Sequence, residues 1–308
     1  MIIFFIISGI VISNSVFQKI SRSEKYSFKY FFIDRFSRIY SALIPCLIVI
    51  WIINYIHPFI NPGHYSGSLD WVTFAGNLFQ LQNFPVLGIQ VLGDAGILWT
   101  LNYEWWLYLF FGCIIFYIMM RRKFEISHVL LLTVCSFFPL YCLFFDFQHE
   151  NLVITWFIGV LITYILLTRP LDPNKYHILL KIAGVISLFL ILLRLTMIYQ
   201  NTVFDITLEI LLCLLILVLL LLTNTRKRIN IHISHSIKFV ASYSFTLYLI
   251  HYSWIIFLRS LLSNYFNPYV LVIIGVISVN LLAFAIAYFT EMRYKKLSGW
   301  LQKKFVNG

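Results

Sequence analysis

Long apolar segments with few charged residues dominate this sequence. Each is close to the roughly 20 residues that a helix needs to cross about 30 Å of hydrocarbon. Hydrophobic residues make up 61% of the 308 residues, and charged residues only 11%. A soluble domain of this size cannot bury that much apolar surface, whereas a lipid bilayer accommodates it. Helices are required there, because lipid offers no partner to unpaired backbone groups.

The pattern therefore predicts an all-α fold, a polytopic transmembrane helix bundle of about nine spans. Short polar links, such as 121–123 and 172–174, separate most of the segments, so neighbouring helices should run antiparallel. We expect residues 1–308 to form a single integral-membrane domain. To within several residues, the spans are expected at 3–17, 39–56, 95–119, 128–147, 151–168, 177–199, 204–223, 239–262 and 268–291.

The distribution of Lys and Arg predicts the orientation of the chain. The net charge is +11, and 21 of the 23 basic residues fall on one side when alternate links are counted from residues 18–38. The other side receives only Arg194 and Arg259. By the positive-inside rule, the basic side and the C-terminus are cytoplasmic and the link 57–94 is external. Membrane lipids explain the basic residues, and we expect no nucleic-acid partner.

This orientation leaves Met1 outside, at the start of a helix with no signal peptide before it. We therefore expect a helix upstream of Met1, and a truncated product or a misplaced start codon. A genuine nine-span protein is the alternative. The five cysteines, Cys46, Cys113, Cys135, Cys142 and Cys213, lie inside apolar segments without a CxxC pair, which predicts buried packing and no metal site.

Four segments in order resemble the integral-membrane acyltransferases of family 3, which include the O-antigen and exopolysaccharide O-acetyltransferases. Residues 4–12 (FFIISGIVI) resemble the family's F-F-x-x-S-G-F-x-I helix, and residues 34–40 (DRFSRIY) its basic turn. Residues 99–105 (WTLNYEW) and 242–251 (SYSFTLYLIH) resemble its W-S/T-L-x-x-E and S-Y-S-x-Y-L-x-H stretches. The family pattern has ten spans. Its first helix, with a catalytic Arg and His, has no counterpart here, in agreement with the charge distribution.

The resemblance implies a bacterial inner-membrane acyltransferase of polysaccharide biosynthesis. It would move an acyl group, expected to be acetyl, from cytoplasmic acyl-CoA to a hydroxyl of a surface polysaccharide or lipid-linked glycan. Acetyl-CoA would be a donor substrate, and no permanently bound cofactor is implied. An inactive truncated acyltransferase, a transporter or flippase of glycan precursors, and a glycan polymerase or ligase remain as alternatives.

Two ionisable residues inside spans are the candidate catalytic residues. Glu104 is expected roughly 14 Å below the outer surface and His251, the only histidine well inside a predicted span, at a similar depth. A carboxylate there costs about 2.5–3.5 kcal/mol on insertion scales, so it should face a cavity and a partner. The alternative is that Glu104 joins helices and His251 packs in the core. The motifs around them also supply candidate substrate contacts, namely Trp99, Tyr103, Tyr243 and Tyr248.

Arg35 and Arg38 are the candidate donor-binding residues. They stand three apart at the predicted cytoplasmic mouth of the second span, so they share a helical face. Their forked donors suit phosphate oxygens such as those of acyl-CoA. Anchoring to lipid headgroups is the alternative.

The predicted orientation can be tested with topology reporters. A reporter after Gly308, or one within residues 121–123, should be cytoplasmic, whereas one near Gly67 should be external. A cytoplasmic reporter at Gly67 would show that the predicted span count is wrong.

Overall fold

The structure, a computed structural model, describes residues 2–22, 26–63, 67–119, 126–145, 150–168, 175–197, 206–223 and 231–306. The predicted links 121–123 and 172–174, and the basic residues 226–228, lie outside these ranges. Within them the chain forms helices and no strand, which confirms the all-α prediction.

The α-helices are α1 (Ile2–Arg22), α2 (Phe28–Ile60), α3 (Trp71–Leu78), α4 (Leu98–Cys113), α5 (Ile126–Phe145), α6 (Glu150–Thr168), α7 (His177–Met197), α8 (Ile206–Thr223), α9 (Ile231–Ala241), α10 (Ser244–Leu262), α11 (Pro268–Phe289) and α12 (Tyr294–Phe305). A π-helical turn, Ile114–Met119, continues α4, and a 3₁₀ turn, Glu291–Arg293, joins α11 to α12.

The protein has the helices of a membrane protein. Among the described residues, six helical stretches are long and apolar enough to cross a bilayer: α1, α2, α5, α7, α10, and α11 together with the helix that follows it. Two shorter apolar stretches, Leu152–Thr168 and Leu208–Leu221, lie where spans are predicted. A polytopic membrane fold is therefore confirmed, while the count of nine spans stays a prediction.

Helix α2 is longer than the predicted span 39–56, because it begins at Phe28 and continues to Ile60 as one helix of 33 residues. Aromatic side chains four residues apart explain this continuity. The rings of Phe28, Phe32, Phe36 and Tyr40 stack in succession, with centroids 6.4, 5.8 and 4.3 Å apart. Side chains four apart are neighbours on a helix, so the stack favours the helical state across the predicted boundary.

The predicted span 239–262 is divided by a turn at Ser242–Tyr243, so α10 begins at Ser244. A carboxylate from the 3₁₀ turn that follows α11 caps the start of α10. Glu291 accepts hydrogen bonds from the backbone N–H of Thr246, at 2.8 Å, and from its hydroxyl, at 2.7 Å. An acidic group at a helix N-terminus pairs with N–H groups that have no partner inside the helix. The first turn of α10 is thereby fixed to the α11–α12 junction.

Residues Met1–Tyr26 with Cys113–Ile229, and Ser27–Gly112 with Asn230–Gly308, form two compact units. In the first unit α1 packs along α6, and two glycines allow the backbones to touch. A Cβ on Gly9 would overlap the backbone oxygen of Trp156, and one on Gly159 would lie 2.5 Å from the oxygen of Ile6. The Trp156 indole also donates to the Ser8 hydroxyl, at 3.2 Å. The Ser-Gly pair of the first motif is thus a packing site.

In the second unit α2 contacts α10, α11 and α12. Its aromatic side chains also hold α4, since the Trp105 ring lies 5.9 Å from that of Phe32 and 5.3 Å from that of Tyr40. Asp34 fixes α12 by accepting from Ser298 and from Gln302, each at 2.8 Å. The first turns of α2 therefore join the C-terminal helix to the unit.

The segment before α4 carries the short helix α3, whose start is fixed by Asp70. Hydrogen bonds from the Ser68 hydroxyl and from the Thr73 backbone and hydroxyl stabilise its carboxylate and lower the pKa of Asp70 to about 2. Asn77, fully buried, donates to the oxygens of Thr73 and Gln90, each at 2.8 Å. Side-chain hydrogen bonds therefore order this segment.

The α1–α6 contact predicts that Gly9→Ala lowers thermal stability. The added methyl group meets backbone atoms that cannot rotate away, so the helices must separate, at a cost of about 1–3 kcal/mol or more. Gly299→Ala is the control, because nothing lies within 4 Å of the Cβ position of Gly299. Thermal unfolding in detergent should show a lower melting temperature for the first variant only. Equal melting temperatures would contradict the close contact.

Candidate functional site

Glu104 lies on α4 with only 4% of its surface exposed. Tyr108, one helical turn later, donates its hydroxyl to Glu104 Oε1 at 3.0 Å. The spacing of four residues is visible in the sequence, so the i, i+4 rule would have identified this partner. The pair provides a buried carboxylate whose position is held from its own helix.

A hydroxyl pair joins α4 to α10 one turn before Glu104. The hydroxyls of Thr100 and Tyr248 form a hydrogen bond. The Glu104 carboxylate is close enough to interact electrostatically with Tyr248. The structure thus brings the helix that carries Glu104 beside the helix that carries His251, which the similar predicted depths of the two residues allowed.

His251 lies on α10, half-buried, three residues after Tyr248. Its Nδ1 is 2.8 Å from the backbone oxygen of Tyr248. Because a carbonyl only accepts hydrogen bonds, Nδ1 must carry a proton, and a neutral ring then has its lone pair on Nε2. The backbone of α10 therefore selects the tautomer in which Nε2 is the basic atom.

The four aromatic residues predicted to contact substrate form two groups. Trp99 and Tyr103 pack edge to face on α4, with ring centroids 5.5 Å apart, and Tyr103 is buried. Tyr243, also buried, donates its hydroxyl to Asn280 Oδ1 at 3.2 Å, which links α10 to α11. Tyr248 is half-buried beside His251.

Two adjoining grooves follow the α10–α11 contact. One, of about 400 Å³, is lined by Tyr248, His251 and Asn280 among other residues. The second, of about 410 Å³, is lined by Tyr243, Phe284 and Asn280. Asn280 borders both grooves, so they form one continuous surface. Most of its other lining residues are apolar.

The structure places Arg35 and Arg38 differently, although they share a helix. Arg35 is 7% exposed and its guanidinium lies 5.9 Å from the centre of the Phe31 ring. Arg38 is exposed and interacts electrostatically with Glu291, the residue that caps α10. Of the two candidate phosphate ligands, Arg38 is therefore the one that a ligand reaches from outside the unit.

The sequence interpretation missed His57, because it ended the second span at residue 56. Helix α2 continues to Ile60, and His57 is completely buried within it. This buried histidine lies in the last turn of α2. No group of three or more His, Cys, Asp or Glu side chains arranged to hold a metal ion occurs in the parts of the chain that the structure describes.

The hydroxyl pair that joins α4 to α10 can be measured by a double-mutant cycle. Tyr248→Phe and Thr100→Val each remove one partner, and the pair should show a coupling energy of about 0.5–1.5 kcal/mol in thermal or chemical unfolding. Tyr252→Phe, an exposed tyrosine of the same helix, is the control and should show no coupling to Thr100→Val. Strictly additive effects for the first pair would show that the hydroxyls do not interact.

Comparison with known proteins adds one finding. The family model of the family 3 acyltransferases, described as an acyltransferase domain, matches residues 1–290 of the 308. No curated protein and no solved structure matches the chain. The family match covers all four motifs, both groups of aromatic residues and the ionisable residues Glu104, His251, Arg35 and Arg38. The chain therefore belongs to acyltransferase family 3.

Proposed function

We propose that the protein transfers an acetyl group from cytoplasmic acyl-CoA to a hydroxyl of a bacterial surface polysaccharide or its lipid-linked precursor. Membership of the acyltransferase family supports acyl transfer. The apolar grooves beside α10 and α11 support an acceptor that is presented from the membrane, such as a lipid-linked glycan. In this proposal the protein resides in the bacterial inner membrane with its C-terminus in the cytoplasm.

The tautomer of His251 is the observation that carries the proposal. With Nδ1 held by the Tyr248 oxygen, Nε2 is the atom that can take a proton, and the ring borders a groove. In the reaction Nε2 removes the hydroxyl proton of the acceptor while its oxygen attacks the thioester carbonyl. The carbon–sulfur bond breaks, and the leaving thiolate takes the proton from the imidazolium. A positioned base of this kind contributes about 10²–10⁴ in rate.

Glu104 would support this step as a negative charge on the neighbouring helix α4. Its carboxylate interacts with Tyr248, whose backbone oxygen holds His251. A carboxylate close to an imidazole favours the protonated ring that forms as the acceptor attacks. The role we assign to Glu104 is therefore charge compensation rather than proton removal.

Arg38 is the proposed contact to the phosphates of acyl-CoA. It lies near Glu291, which is bonded to Thr246 at the start of α10. Thr246 and His251 are five residues apart, roughly 8 Å along the helix. A donor whose phosphates reach Arg38 can therefore extend along α10 with its thioester near the base. Arg35, being buried, would then support the fold around this contact.

Kinetics of acetyl-CoA cleavage will test the donor site. Arg38→Ala should raise the KM for acetyl-CoA about tenfold or more, because a hydrogen bond to a charged group is worth about 1.5–3 kcal/mol. Arg22→Ala is the matched control, since it removes an exposed arginine at the end of α1 and should leave KM unchanged. An unchanged KM in Arg38→Ala would assign this residue to lipid anchoring instead.

The proposed base and its charge partner should affect turnover instead of donor binding. In the same assay His251→Gln should lower kcat by about 10²–10⁴-fold, and Glu104→Gln should lower kcat more than it raises KM. Acceptor-dependent release of free CoA thiol is the measurement, which also separates an acyltransferase from a transporter. Normal turnover in His251→Gln would show that another residue is the base.

A further inference from the structure

The second unit contains a second group of reactive side chains, at the end opposite Arg38. His57 Nε2 lies 2.7 Å from the Ser260 hydroxyl, and His57 Nδ1 lies 3.6 Å from a carboxylate oxygen of Asp94. The three residues come from the end of α2, the end of α10 and the segment between α3 and α4. We propose that Ser260, His57 and Asp94 form a second reactive site, in which the Ser260 hydroxyl attacks carboxylic esters presented at this end of the unit.

The order of the three groups is the one that activates a serine. A carboxylate beside Nδ1 favours the tautomer with a proton on that nitrogen, so Nε2 is left to accept the Ser260 proton. A nucleophile in hydrogen-bond reach of a base that is itself oriented by a third group defines such sites, whatever the fold. The distance of 3.6 Å between Nδ1 and the carboxylate oxygen is longer than a hydrogen bond, and we expect it to shorten when the ring becomes charged.

The base is held rigidly. His57 is completely buried, and its ring packs in a T-shaped arrangement with that of Phe257, with centroids 5.8 Å apart. Asp94 is fixed through its backbone, because its N–H donates to Asn54 Oδ1 at 3.0 Å, one turn before His57 on α2. The neighbouring Gly93 has a positive φ of 54°, and a Cβ there would lie 2.5 Å from the Asn54 side chain. The glycine therefore lets Asp94 approach α2 closely.

The nucleophile Ser260 is half-buried, so a substrate can reach it, whereas the base His57 is not exposed at all. The site is separate from the proposed donor site. Arg38 and His57 are 19 residues apart on α2, roughly 28 Å along the helix. Acyl groups would therefore reach Ser260 as esters carried by a lipid or a glycan, not directly from a donor bound at Arg38.

The proposed reaction passes through an acyl group bound covalently to Ser260. Ser260 Oγ forms a bond to the ester carbonyl carbon while its proton moves to His57 Nε2. The bond from that carbon to the alcohol oxygen breaks, and the imidazolium returns the proton to the leaving alkoxide. Water or a second hydroxyl then releases the acyl group from Ser260, with His57 as the base. The net reaction is ester hydrolysis or transfer of the acyl group to a new hydroxyl.

A fluorophosphonate probe will test this site in the full chain, purified in detergent or lipid nanodiscs. The probe should label Ser260, as located by mass spectrometry of the labelled peptide. Labelling should disappear in Ser260→Ala and fall by about 10²–10⁴-fold in His57→Gln and Asp94→Asn. Ser263→Ala, at an exposed serine one turn further on, should be labelled normally. No labelling of the wild type, or labelling that survives His57→Gln, would overturn the proposal.

A thiol at the same position separates activation from packing. Ser260→Cys keeps the size of the side chain, and a thiol beside a histidine ionises at a lower pH than the value of about 8.5 for a free cysteine. Its alkylation by a water-soluble reagent should remain fast at acid pH, and His57→Gln in the same background should abolish this advantage. An ordinary thiol pH profile in Ser260→Cys, measured on protein that elutes as the wild type does, would show that the contact only holds the helices together.

Discussion

A bilayer supplies no hydrogen-bonding partner, so the polar groups that this chain buries must be satisfied by the chain itself. Several contacts between helices follow from this constraint. Thr155 donates to the buried Glu209 at 2.6 Å, and Glu291 accepts from Thr246. Each contact joins two helices at one defined level, which apolar packing alone does not impose because lipid tails are as apolar as the helices.

The same constraint explains where the candidate functional residues lie. Glu104 and His251 are costly to place inside an apolar fold, and each has a hydrogen-bonding partner on its own helix. A tyrosine hydroxyl holds the first, and a backbone oxygen holds the second. Each hydrogen bond therefore limits the orientations that the side chain can adopt.

The sequence was sufficient to predict helices, their approximate positions and the family, because apolar segments of membrane length leave few other folds. The predicted depths allowed Glu104 and His251 to meet, but they did not give the direction in which either side chain points. The sequence did not predict that α2 begins at Phe28, because charged residues such as Arg35 and Arg38 are typical of the end of a span. The aromatic stack from Phe28 to Tyr40 keeps this segment helical. The sequence also could not place Asp94 beside His57 and Ser260, which are far apart in the chain. That contact depends on how one irregular segment folds back onto α2.

Asp34 bonds to both Ser298 and Gln302, and the next residue in α2 is Arg35. Helix α12 carries Lys295, Lys296, Lys303 and Lys304, with Lys304 over the Trp300 ring, a composition suited to anionic headgroups. The hydrogen bonds of Asp34 tie the position of α12 to the turn of α2 that precedes Arg35. Substitutions at Ser298 or Gln302 therefore remove contacts to the first turns of α2, although these residues lie 264 and 268 positions away from Asp34 in the sequence.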